Sequence, residues 1–352
     1  MSDMKKIAIF QRDFQVGGIQ KALLNLLQNL DYDRYEVDLF YFDPEPFYEL
    51  PEREHLRKIC LRPWPYWTRF VPFEWLKNRK MPLPDTEYDA AIDFNSYGSE
   101  CAAGVLQLRA KKRIMWIHND VEIKLKSEPK YRVLWTFFKG KFRYFDAFAA
   151  VSTGIIEGFR RETGLATVPV VSVPNTIDTE EIFRKAAEPT DFSVNDSDYH
   201  LCSMGRLVHQ KGFDILLELF SGVASKRSDM HLYLIGDGPE RPSLEEQISR
   251  LGLGERVTLL GNLQNPFPVL DQMDGFVLTS RYEGQGIVLW EAKSLGLELF
   301  MAKHLEQYNP GLTGVEDVGE ALLGAQKREK VRDDLSEYNE KIQKSLEMLL
   351  KS

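Results

Sequence analysis

Apolar residues near the start of the chain follow first a strand pattern and then a helix pattern. The run KKIAIFQ, which begins at Lys5, is a short apolar block typical of a buried strand. A turn with two glycines follows. After it, apolar residues recur at the spacing of one helical face, at Ile19, Ala22, Leu23, Leu26, Leu27 and Leu30. The pattern predicts a strand, a glycine loop and a helix.

Four more apolar runs extend this alternation. They begin at Tyr35, Tyr88, Arg113 and Phe145, and helical or irregular stretches separate them. Strands that alternate with helices are typical of a parallel sheet covered by helices. We therefore predict a Rossmann-like α/β domain over residues 1–176.

A second series of apolar runs predicts a second domain of the same class. These runs begin at Tyr199, His231, Arg256 and Asp274, and each ends in Gly, Asn or Ser, where a turn is needed. The predicted domain covers residues 198–328.

Two further segments complete the predicted organisation. Residues 177–197 are interpreted as a linker, because the polar stretch EPTDFSVNDSD, which begins at Glu188, has no apolar period. Residues 329–352 carry an apolar stripe at helical spacing, which predicts a C-terminal helix that packs back on the body. Two open α/β domains of this kind place the loops after their strands at a shared central cleft, where such folds bind ligands.

Composition narrows the class of protein. The chain has 352 residues, 43% of them apolar and 28% charged, as in ordinary globular proteins. Its three cysteines are an odd number without metal-like spacing, which argues against a disulfide framework or a zinc site. No apolar stretch approaches the roughly 20 residues that cross a bilayer, and the N-terminus does not resemble a cleavable signal. A cytoplasmic location is expected.

The first predicted helix is preceded by Gly17 and Gly18. Two glycines let a backbone approach a ligand closely, and the amides of a helix start favour an anion. The dinucleotide fingerprint G-x-G-x-x-G is absent, which removes the main support for an NAD site. A tight turn without a ligand explains the same two glycines.

Two cations follow the first strand of the second domain. Arg206 and Lys211 lie in SMGRLVHQKGFDILL, just before a predicted helix whose N-terminus also attracts anions. Such a pair suits a diphosphate. A solvated loop would explain either residue alone, but the position at the carboxyl end of a strand favours a functional role.

The segment SRYEGQGIVLWEAKSLG contains the most specific pattern, two glutamates separated by seven residues. Glu283 lies in a loop, and Glu291 falls in the second turn of the next predicted helix, so both carboxylates can face the cleft and accept hydrogen bonds from hydroxyls. The amides between them could hold phosphate or sugar oxygens, and they belong to Gly284, Gln285, Gly286 and Ile287. For either glutamate alone, a capping or solvated side chain is the simpler explanation.

These motifs resemble those of the retaining glycosyltransferases of family 4 (glycosyl transferases group 1), which have the two-domain GT-B fold. The resemblance covers about residues 5–300 and rests on GGIQ, VPNTID, GRLVHQKGFDILL, LIGDGPE, RVTLLGN and the glutamate pair. It implies that Glu291 holds the nucleotide ribose and that Glu283 contacts the transferred sugar. It also implies that Arg206 and Lys211 neutralise the leaving diphosphate and that the anomeric configuration is retained.

The resemblance marks His118 as a contact of the donor sugar near the reaction centre. His118 ends an apolar strand where a cleft loop should begin, and from the residues alone a histidine that caps this turn is the favoured interpretation. Downstream of EAKSLG the chain departs from the family pattern, which leaves the role of residues 304–309 open.

Neither a cofactor nor a metal is predicted. The two Asp-x-Asp strings, at residues 31–33 and 196–198, lie on a predicted surface turn and in the predicted linker. Cations and helix ends would then stabilise the leaving diphosphate as a bound metal does elsewhere.

Residues 53–80 combine basic and aromatic side chains. Eight Lys and Arg lie there against two Glu, although the net charge of the chain is −8. Cations attract anionic lipid, and Trp and Tyr favour the headgroup level, so this segment could rest on a membrane surface. A lid over the acceptor and a plain surface loop are the alternatives. Nucleic acid is not expected, because the chain is acidic and has no recognition motif.

The sequence therefore predicts a metal-independent glycosyltransferase in the cytoplasm, with peripheral attachment to the inner face of the cell membrane left open. It would move a sugar from a nucleotide diphosphate donor to a saccharide or lipid-linked glycan in bacterial surface polysaccharide or capsule synthesis. The alternatives are a noncatalytic sugar-nucleotide-binding partner subunit and a sugar-nucleotide 2-epimerase.

Overall fold

The computed structural model describes residues 4–15 and 17–351. They form two compact units, each a parallel sheet with its own helices. Unit 1 comprises Met1–Thr176 and Glu337–Ser352, and unit 2 comprises Ile177–Ser336. The two Rossmann-like α/β domains predicted from the alternation of apolar runs are confirmed.

Seven parallel strands form the sheet of unit 1 within the described residues. In chain order they are β1 (Lys5–Gln11), β2 (Tyr35–Tyr41), β3 (Leu56–Cys60), β4 (Glu87–Asp93), β5 (Arg109–Ile117), β6 (Ala147–Ala150) and β7 (Val170–Ser172). In space the order is β3-β2-β1-β4-β5-β6-β7. The chain runs outward from β1 to β3 and then returns to β4, so the boundary between β1 and β4 is the switch point of this sheet.

The helices of unit 1 follow the apolar pattern of the sequence. They are α1 (Gly18–Asn29), α2 (Phe73–Leu76), α3 (Ser99–Gln107), α4 (Val121–Ser127), α5 (Pro129–Phe138) and α6 (Ile156–Thr163). In α1 the predicted face at Ala22, Leu23, Leu26 and Leu27 is buried. Burial of this stripe fixes α1, and with it the glycine turn at its start.

Unit 2 has a five-stranded parallel sheet among the described residues. Its strands are β8 (Tyr199–Met204), β9 (Met230–Ile235), β10 (Val257–Gly261), β11 (Gly275–Leu278) and β12 (Glu298–Met301). The order in space is β10-β9-β8-β11-β12, which puts the switch point between β8 and β11. Its helices are α7 (Thr179–Ala186), α8 (Phe213–Ala224), α9 (Arg241–Arg250), α10 (Phe267–Leu270), α11 (Ile287–Ser294) and α12 (Val318–Leu323).

The structure places α7 inside the segment interpreted as a linker, 177–197. Asp178 caps this helix by accepting a hydrogen bond from the amide of Glu181 at 3.1 Å, and Ile182 is buried. The Asn265 side chain also donates to the carbonyl of Lys185 at 2.9 Å. The first half of the segment is therefore a packed part of unit 2, and only the polar residues after α7 lack regular structure before β8.

The chain ends in helix α13 (Ser336–Lys351), which belongs to unit 1. Ile342, Leu346 and Leu349 are buried, as the apolar stripe predicts, and Lys112 donates to the carbonyl of Leu349 at 2.6 Å. The helix begins seven residues later than predicted, after Leu335, whose φ of 52° is left-handed. The prediction of a C-terminal helix that packs back on the body is confirmed.

The basic and aromatic segment 53–80 is not one loop. It contains the edge strand β3, the 3₁₀ turn Tyr66–Phe70 and helix α2. Of the helices in the described ranges, none has the length and apolar character needed to span a membrane.

Candidate functional site

Two loops that are distant in sequence lie together at the switch point of unit 2. Residues 205–212 follow β8 and residues 279–286 follow β11, and these strands pair in parallel, so both loops leave the same edge of the sheet. Thr279 Oγ1 donates to the carbonyl of Gly212 at 3.0 Å, and the amide of Arg281 donates to the carbonyl of Gln210 at 2.8 Å. The motif with the cations and the motif with the glutamates therefore form one cluster.

The centre of this cluster is an ion pair between Lys211 and Glu283. Lys211 Nζ lies 2.7 Å from Glu283 Oε1, and Ser280 Oγ donates to the same oxygen at 2.6 Å. Glu283 is only 4% exposed, and the ion pair and the hydrogen bond offset the cost of burying a carboxylate. The structure thus joins the glutamate motif and the cation motif directly.

Arg206 is exposed in the loop that also holds Lys211. Within the described part of the chain, its guanidinium makes no ion pair or hydrogen bond, so its five donors face solvent. A cation that the fold leaves without a partner is available to an anion.

Gly212 is required where the two loops meet. Its φ is +64°, and a Cβ atom there would lie 2.2 Å from the carbonyl oxygen of Thr279. Because both the backbone conformation and the space exclude a side chain, this glycine lets the loop after β8 approach the loop after β11.

Two backbone amides of the turn before α11 form hydrogen bonds within the protein. The amide of Gly286 donates to Asn309 Oδ1 at 2.9 Å, and the amide of Ile287 donates to the carbonyl of Gln285 at 3.1 Å. Two of the four predicted phosphate-binding amides are thus engaged within the protein. Glu291 lies in the second turn of α11, as predicted, and is 4% exposed.

The residues that depart from the family pattern support this turn. Asn309 is fully buried, and its Nδ2 donates to the carbonyl of Leu305 at 3.0 Å while its Oδ1 holds the amide of Gly286. His304 Nε2 donates to the carbonyl of Ser280 at 3.0 Å. Sequence analysis missed Asn309, because an asparagine in an irregular loop gives no signal of the turn that it reaches.

In unit 1, Gly17 and Gly18 lie after β1, beside the switch point of that sheet. Gly17 precedes α1 with an extended φ of 175°, and Gly18 is the first residue of the helix. A Cβ atom on Gly18 would meet nothing within 4 Å, so packing alone does not demand glycine there. The neighbouring Val16 lies outside the described residues.

His118 follows β5 and is held by a structural hydrogen bond. Its Nε2 lies 2.6 Å from the carbonyl oxygen of Phe94, and its ring packs on that of Phe94 with centroids 4.6 Å apart. A carbonyl only accepts, so Nε2 carries the proton and Nδ1 is left as an acceptor. Burial lowers the pKa of His118 to about 3, so the ring is neutral. The bond fixes the ring on the residue that follows β4, not on the turn after β5, and Nδ1 can still meet a hydroxyl.

A buried lysine that the sequence did not reveal fixes the loop after β4. Lys141 is fully buried, and its Nζ donates to the carbonyls of Ser96 at 2.6 Å and Gly98 at 2.7 Å. It lies 3.9 Å from Asp93 Oδ2, and Ser96 has a left-handed φ of 55°. Lys141 holds this strained turn at the switch point of unit 1.

No cluster of three or more metal-binding side chains occurs in residues 4–15 and 17–351. The Asp-x-Asp strings lie apart from both switch points, on the turn before β2 and on the segment before β8. The metal-free mechanism stays a prediction.

Two family models match the chain. The model described as Glycosyltransferase Family 4 matches residues 16–181, and the model described as Glycosyl transferases group 1 matches residues 185–304. Together they extend over both units and contain every site residue predicted from the sequence.

Similar proteins are found among curated sequences and solved structures. Over 315 residues the chain is 25% identical to the N-acetylgalactosamine-N,N'-diacetylbacillosaminyl-diphospho-undecaprenol 4-alpha-N-acetylgalactosaminyltransferase of Campylobacter jejuni, with 86% of this chain and 81% of that protein covered. It is 28% identical over 192 residues to an uncharacterized glycosyltransferase of Methanocaldococcus jannaschii, a match that covers 53% of this chain and about half, 47%, of that protein. A TarM variant from S. aureus, solved with fondaparinux, alpha-GlcNAc-glycerol and UDP, superposes with a TM-score of 0.68 at 13% identity, covering 99% of this chain and 100% of that chain.

Proposed function

We propose that this chain moves a sugar from a nucleoside diphosphate sugar to an acceptor hydroxyl. The premise is that the chain belongs to the glycosyl transferases of group 1 and has their GT-B fold. The observation that carries this proposal is the Lys211–Glu283 pair at the switch point of unit 2, with the unpaired Arg206 in the same loop as Lys211. Parallel α/β sheets bind ligands at such switch points.

The cations of this cluster would hold the diphosphate as it departs. Arg206 has no partner to give up, and the ammonium of Lys211 has three donors, of which Glu283 takes one. The N-terminus of α8 begins at Phe213, directly after this loop, and adds a partial positive charge. Preorganised cations of this kind stabilise the charge that develops on a leaving group.

Glu283, Glu291 and His118 would bind the ribose and the sugar of the donor. Glu291 would accept hydrogen bonds from the ribose, and Glu283 from a hydroxyl of the transferred sugar. His118 is neutral because burial lowers its pKa to about 3, so it would accept a sugar hydroxyl at Nδ1 and would not act as an acid.

The reaction would proceed with retention of the anomeric configuration. The acceptor oxygen would bond to the anomeric carbon on the face from which the diphosphate leaves. The C–O bond to the phosphate breaks, its electron pair stays on the diphosphate, and a phosphate oxygen takes the proton of the acceptor. No resident metal is needed in this scheme, because Arg206 and Lys211 offset the negative charge.

Two of the similar proteins favour a class of donor and a class of acceptor. The TarM structure contains UDP, which favours a uridine nucleotide as the donor. The name of the Campylobacter jejuni relative includes diphospho-undecaprenol, which favours a lipid-linked glycan as the acceptor. The proposed setting is the assembly of a bacterial surface polysaccharide such as a capsule.

A panel of nucleotides and nucleotide sugars tests the proposal by thermal shift, since a ligand that binds only the folded chain raises the melting temperature. Glu291→Ala should weaken binding of the best nucleotide about tenfold or more, because charged hydrogen bonds to the ribose are lost. Glu246→Ala, at an exposed glutamate of α9, is the matched control. Equal affinities of the two variants would refute the ribose contact.

Turnover separates an enzyme from the noncatalytic binding subunit. Release of the nucleoside diphosphate from the best donor, with and without lipid-linked glycans, should be faster with the intact chain than with Lys211→Ala. Tight binding without any release or transfer would assign the chain to the binding subunit, and formation of the C2 epimer would assign it to the epimerases.

A further inference from the structure

The structure brings the basic aromatic segment of unit 1 against a second segment of the same kind. Residues 62–84 contain five Lys and Arg and one acid, Glu74, while residues 129–144 contain five Lys and Arg and no acid. The rings of Phe70 and Phe137 meet with centroids 6.2 Å apart, and Arg143 pairs with Glu74 at 2.5 Å. Nine of these ten cations, all but the buried Lys141, therefore share one surface with a single acid, in a chain whose net charge is −8.

The single acid of this surface is neutralised internally. Glu74 is bound by Lys77 Nζ at 2.9 Å and by Tyr144 Oη at 2.7 Å, in addition to Arg143. These neighbours hold the pKa of Glu74 below its ordinary value. Six exposed cations here make no ion pair with a carboxylate of the described residues, namely Arg62, Arg79, Lys80, Lys130, Arg132 and Lys139. The half-buried Arg69 makes none either.

Apolar side chains are exposed on the same surface. Trp75 is 78% exposed and Trp67 is 58% exposed. Five of the ten large apolar side chains that are exposed among the described residues lie here, namely Tyr66, Trp67, Phe70, Trp75 and Val133. A soluble surface seldom gathers this much apolar area without a partner.

The cations of strand β3 do not belong to this surface. Arg57 forms a two-point pair with the buried Asp38 at 2.8 and 2.6 Å, and Lys58 pairs with Glu52. The first part of the segment predicted to contact a membrane is therefore a structural edge of the sheet. We name the remaining surface the basic aromatic face, made of the exposed and half-buried side chains of residues 62–80 and 129–144.

Helix α5 presents one side to the core and the other to this face. Tyr131, Trp135 and Phe138 are buried, whereas Lys130 and Val133, three residues apart, lie on the outer side. The outer side thus continues the mixture of cations and apolar groups that the turn Tyr66–Phe70 begins.

We propose that the basic aromatic face docks unit 1 on a membrane surface rich in anionic lipid. The cations would lie against the phosphates, and the exposed tryptophans would enter the headgroup region, which Trp and Tyr prefer. Charge alone would suit any polyanion, and the exposed Trp67 and Trp75 are what favour lipid. The proposal does not depend on the reaction that the chain catalyses.

Vesicle co-sedimentation of the full chain tests this proposal. Binding is expected to vesicles that contain one quarter phosphatidylglycerol and not to pure phosphatidylcholine, and it should weaken as salt is added. The triple variant Arg69→Gln, Lys80→Gln, Lys130→Gln should lose about 100-fold in affinity, since each cation near an anionic surface contributes about fivefold. Equal binding to both vesicles would overturn the proposal.

Two controls distinguish docking from general attraction. The triple variant Arg53→Gln, Arg109→Gln, Lys111→Gln removes the same charge elsewhere on unit 1 and should bind nearly as the wild type does. If it weakens binding as much as the first triple variant, the assignment to this face is wrong. Thermal melting of every variant verifies folding, and the changed side chains are exposed except for that of Arg69, which is half-buried.

Variants of the exposed aromatic residues test whether the partner is a lipid surface. Trp67→Ala with Trp75→Ala should reduce vesicle binding at least about tenfold, while Phe47→Ala, at an exposed ring outside the face, should not. Unchanged binding of the double variant would show that the contact is electrostatic alone and would overturn the lipid assignment. Tighter binding of a single-stranded oligonucleotide than of vesicles, or a dimer that the double variant abolishes, would assign the face to nucleic acid or to a second copy instead.

Discussion

Individual side chains at the switch point of unit 2 connect the proposed chemistry to the fold. Glu283 is nearly fully buried, and it receives Lys211 and Ser280 on one oxygen. A carboxylate in this position both orients the lysine and keeps the local charge balanced. The role of Glu283 can therefore be tested by a substitution that keeps the shape of the side chain and removes its charge.

We expect Glu283→Gln to lower turnover by about 100-fold or more while nucleotide affinity changes little, because the sugar contact and the orientation of Lys211 are lost. Steady-state release of the nucleoside diphosphate measures turnover, and thermal shift measures affinity. Glu245→Gln breaks an exposed pair with Arg241 in the same unit and serves as the control. A turnover equal to that of this control would remove Glu283 from the reaction.

His118 predicts a dependence of stability on pH. Burial lowers its pKa from 6.5 to about 3, so the unfolded chain takes up a proton that the folded chain excludes. The stability associated with this group is complete above pH 6.5 and is lost as the pH falls towards 3. His118→Asn keeps an amide that can donate to Phe94 and cannot titrate.

Between pH 6 and 4 the unfolding free energy of the wild type should fall relative to that of His118→Asn, by up to about 1.4 kcal/mol per pH unit. Urea unfolding at a series of pH values measures this difference. His55→Asn, at a half-exposed histidine, should follow the wild type. A His118→Asn curve parallel to the wild type would show that His118 takes up its proton in the folded chain as readily as in the unfolded one.

At the scale of elements, the site depends on how closely two loops approach each other. Gly212→Ala should destabilise unit 2 by about 2 to 4 kcal/mol, because Ala is strained at a φ of +64° and its Cβ would lie 2.2 Å from the carbonyl oxygen of Thr279. Gly222→Ala, at an exposed position in the last turn of α8 where a Cβ would meet nothing within 4 Å, should instead stabilise by about 0.5 to 1 kcal/mol. Chemical unfolding compares the two, and similar effects would show that the loops can separate without cost.

The helices and strands that could be predicted are those in which a single stretch of sequence contains the whole apolar pattern of the element. β1, α1 and the strands from Tyr199, His231, Arg256 and Asp274 are of this kind. β3 was missed because it is a half-buried edge strand with basic residues, and β7 because it has only three residues. α7 could have been found, since Asp178 followed by Thr-Glu-Glu is a helix start.

The candidate site was predictable only in part. The cations and glutamates carry local patterns, so their position at strand ends followed from the sequence. Lys141 and Asn309 act on backbone groups far away in the chain, at Ser96 and Gly286, and no local pattern reveals such contacts. The direct pairing of Lys211 with Glu283 likewise depends on the neighbouring positions of β8 and β11.

At the scale of the whole molecule, the last helix stabilises the first unit. Leu346→Ala should destabilise unit 1 by about 3 kcal/mol, because the side chain is buried and leaves a cavity. Met348→Ala, at a side chain that is 61% exposed on the same helix, should have little effect. Hydrogen exchange should rise in β5 and stay unchanged in β8. Equal acceleration in both strands would contradict the assignment of α13 to unit 1.

Because Lys141 is fully buried, chemical modification of its amine can report on the opening of the turn that covers it. An amine-modifying reagent reaches exposed lysines in the native chain, but it can reach Lys141 only when the turn at Ser96 to Gly98 opens. The rate at which mass spectrometry finds Lys141 modified would therefore time the opening of that turn. A ligand that closes over the switch point of unit 1 should slow this labelling while leaving the surface lysines as reactive as before.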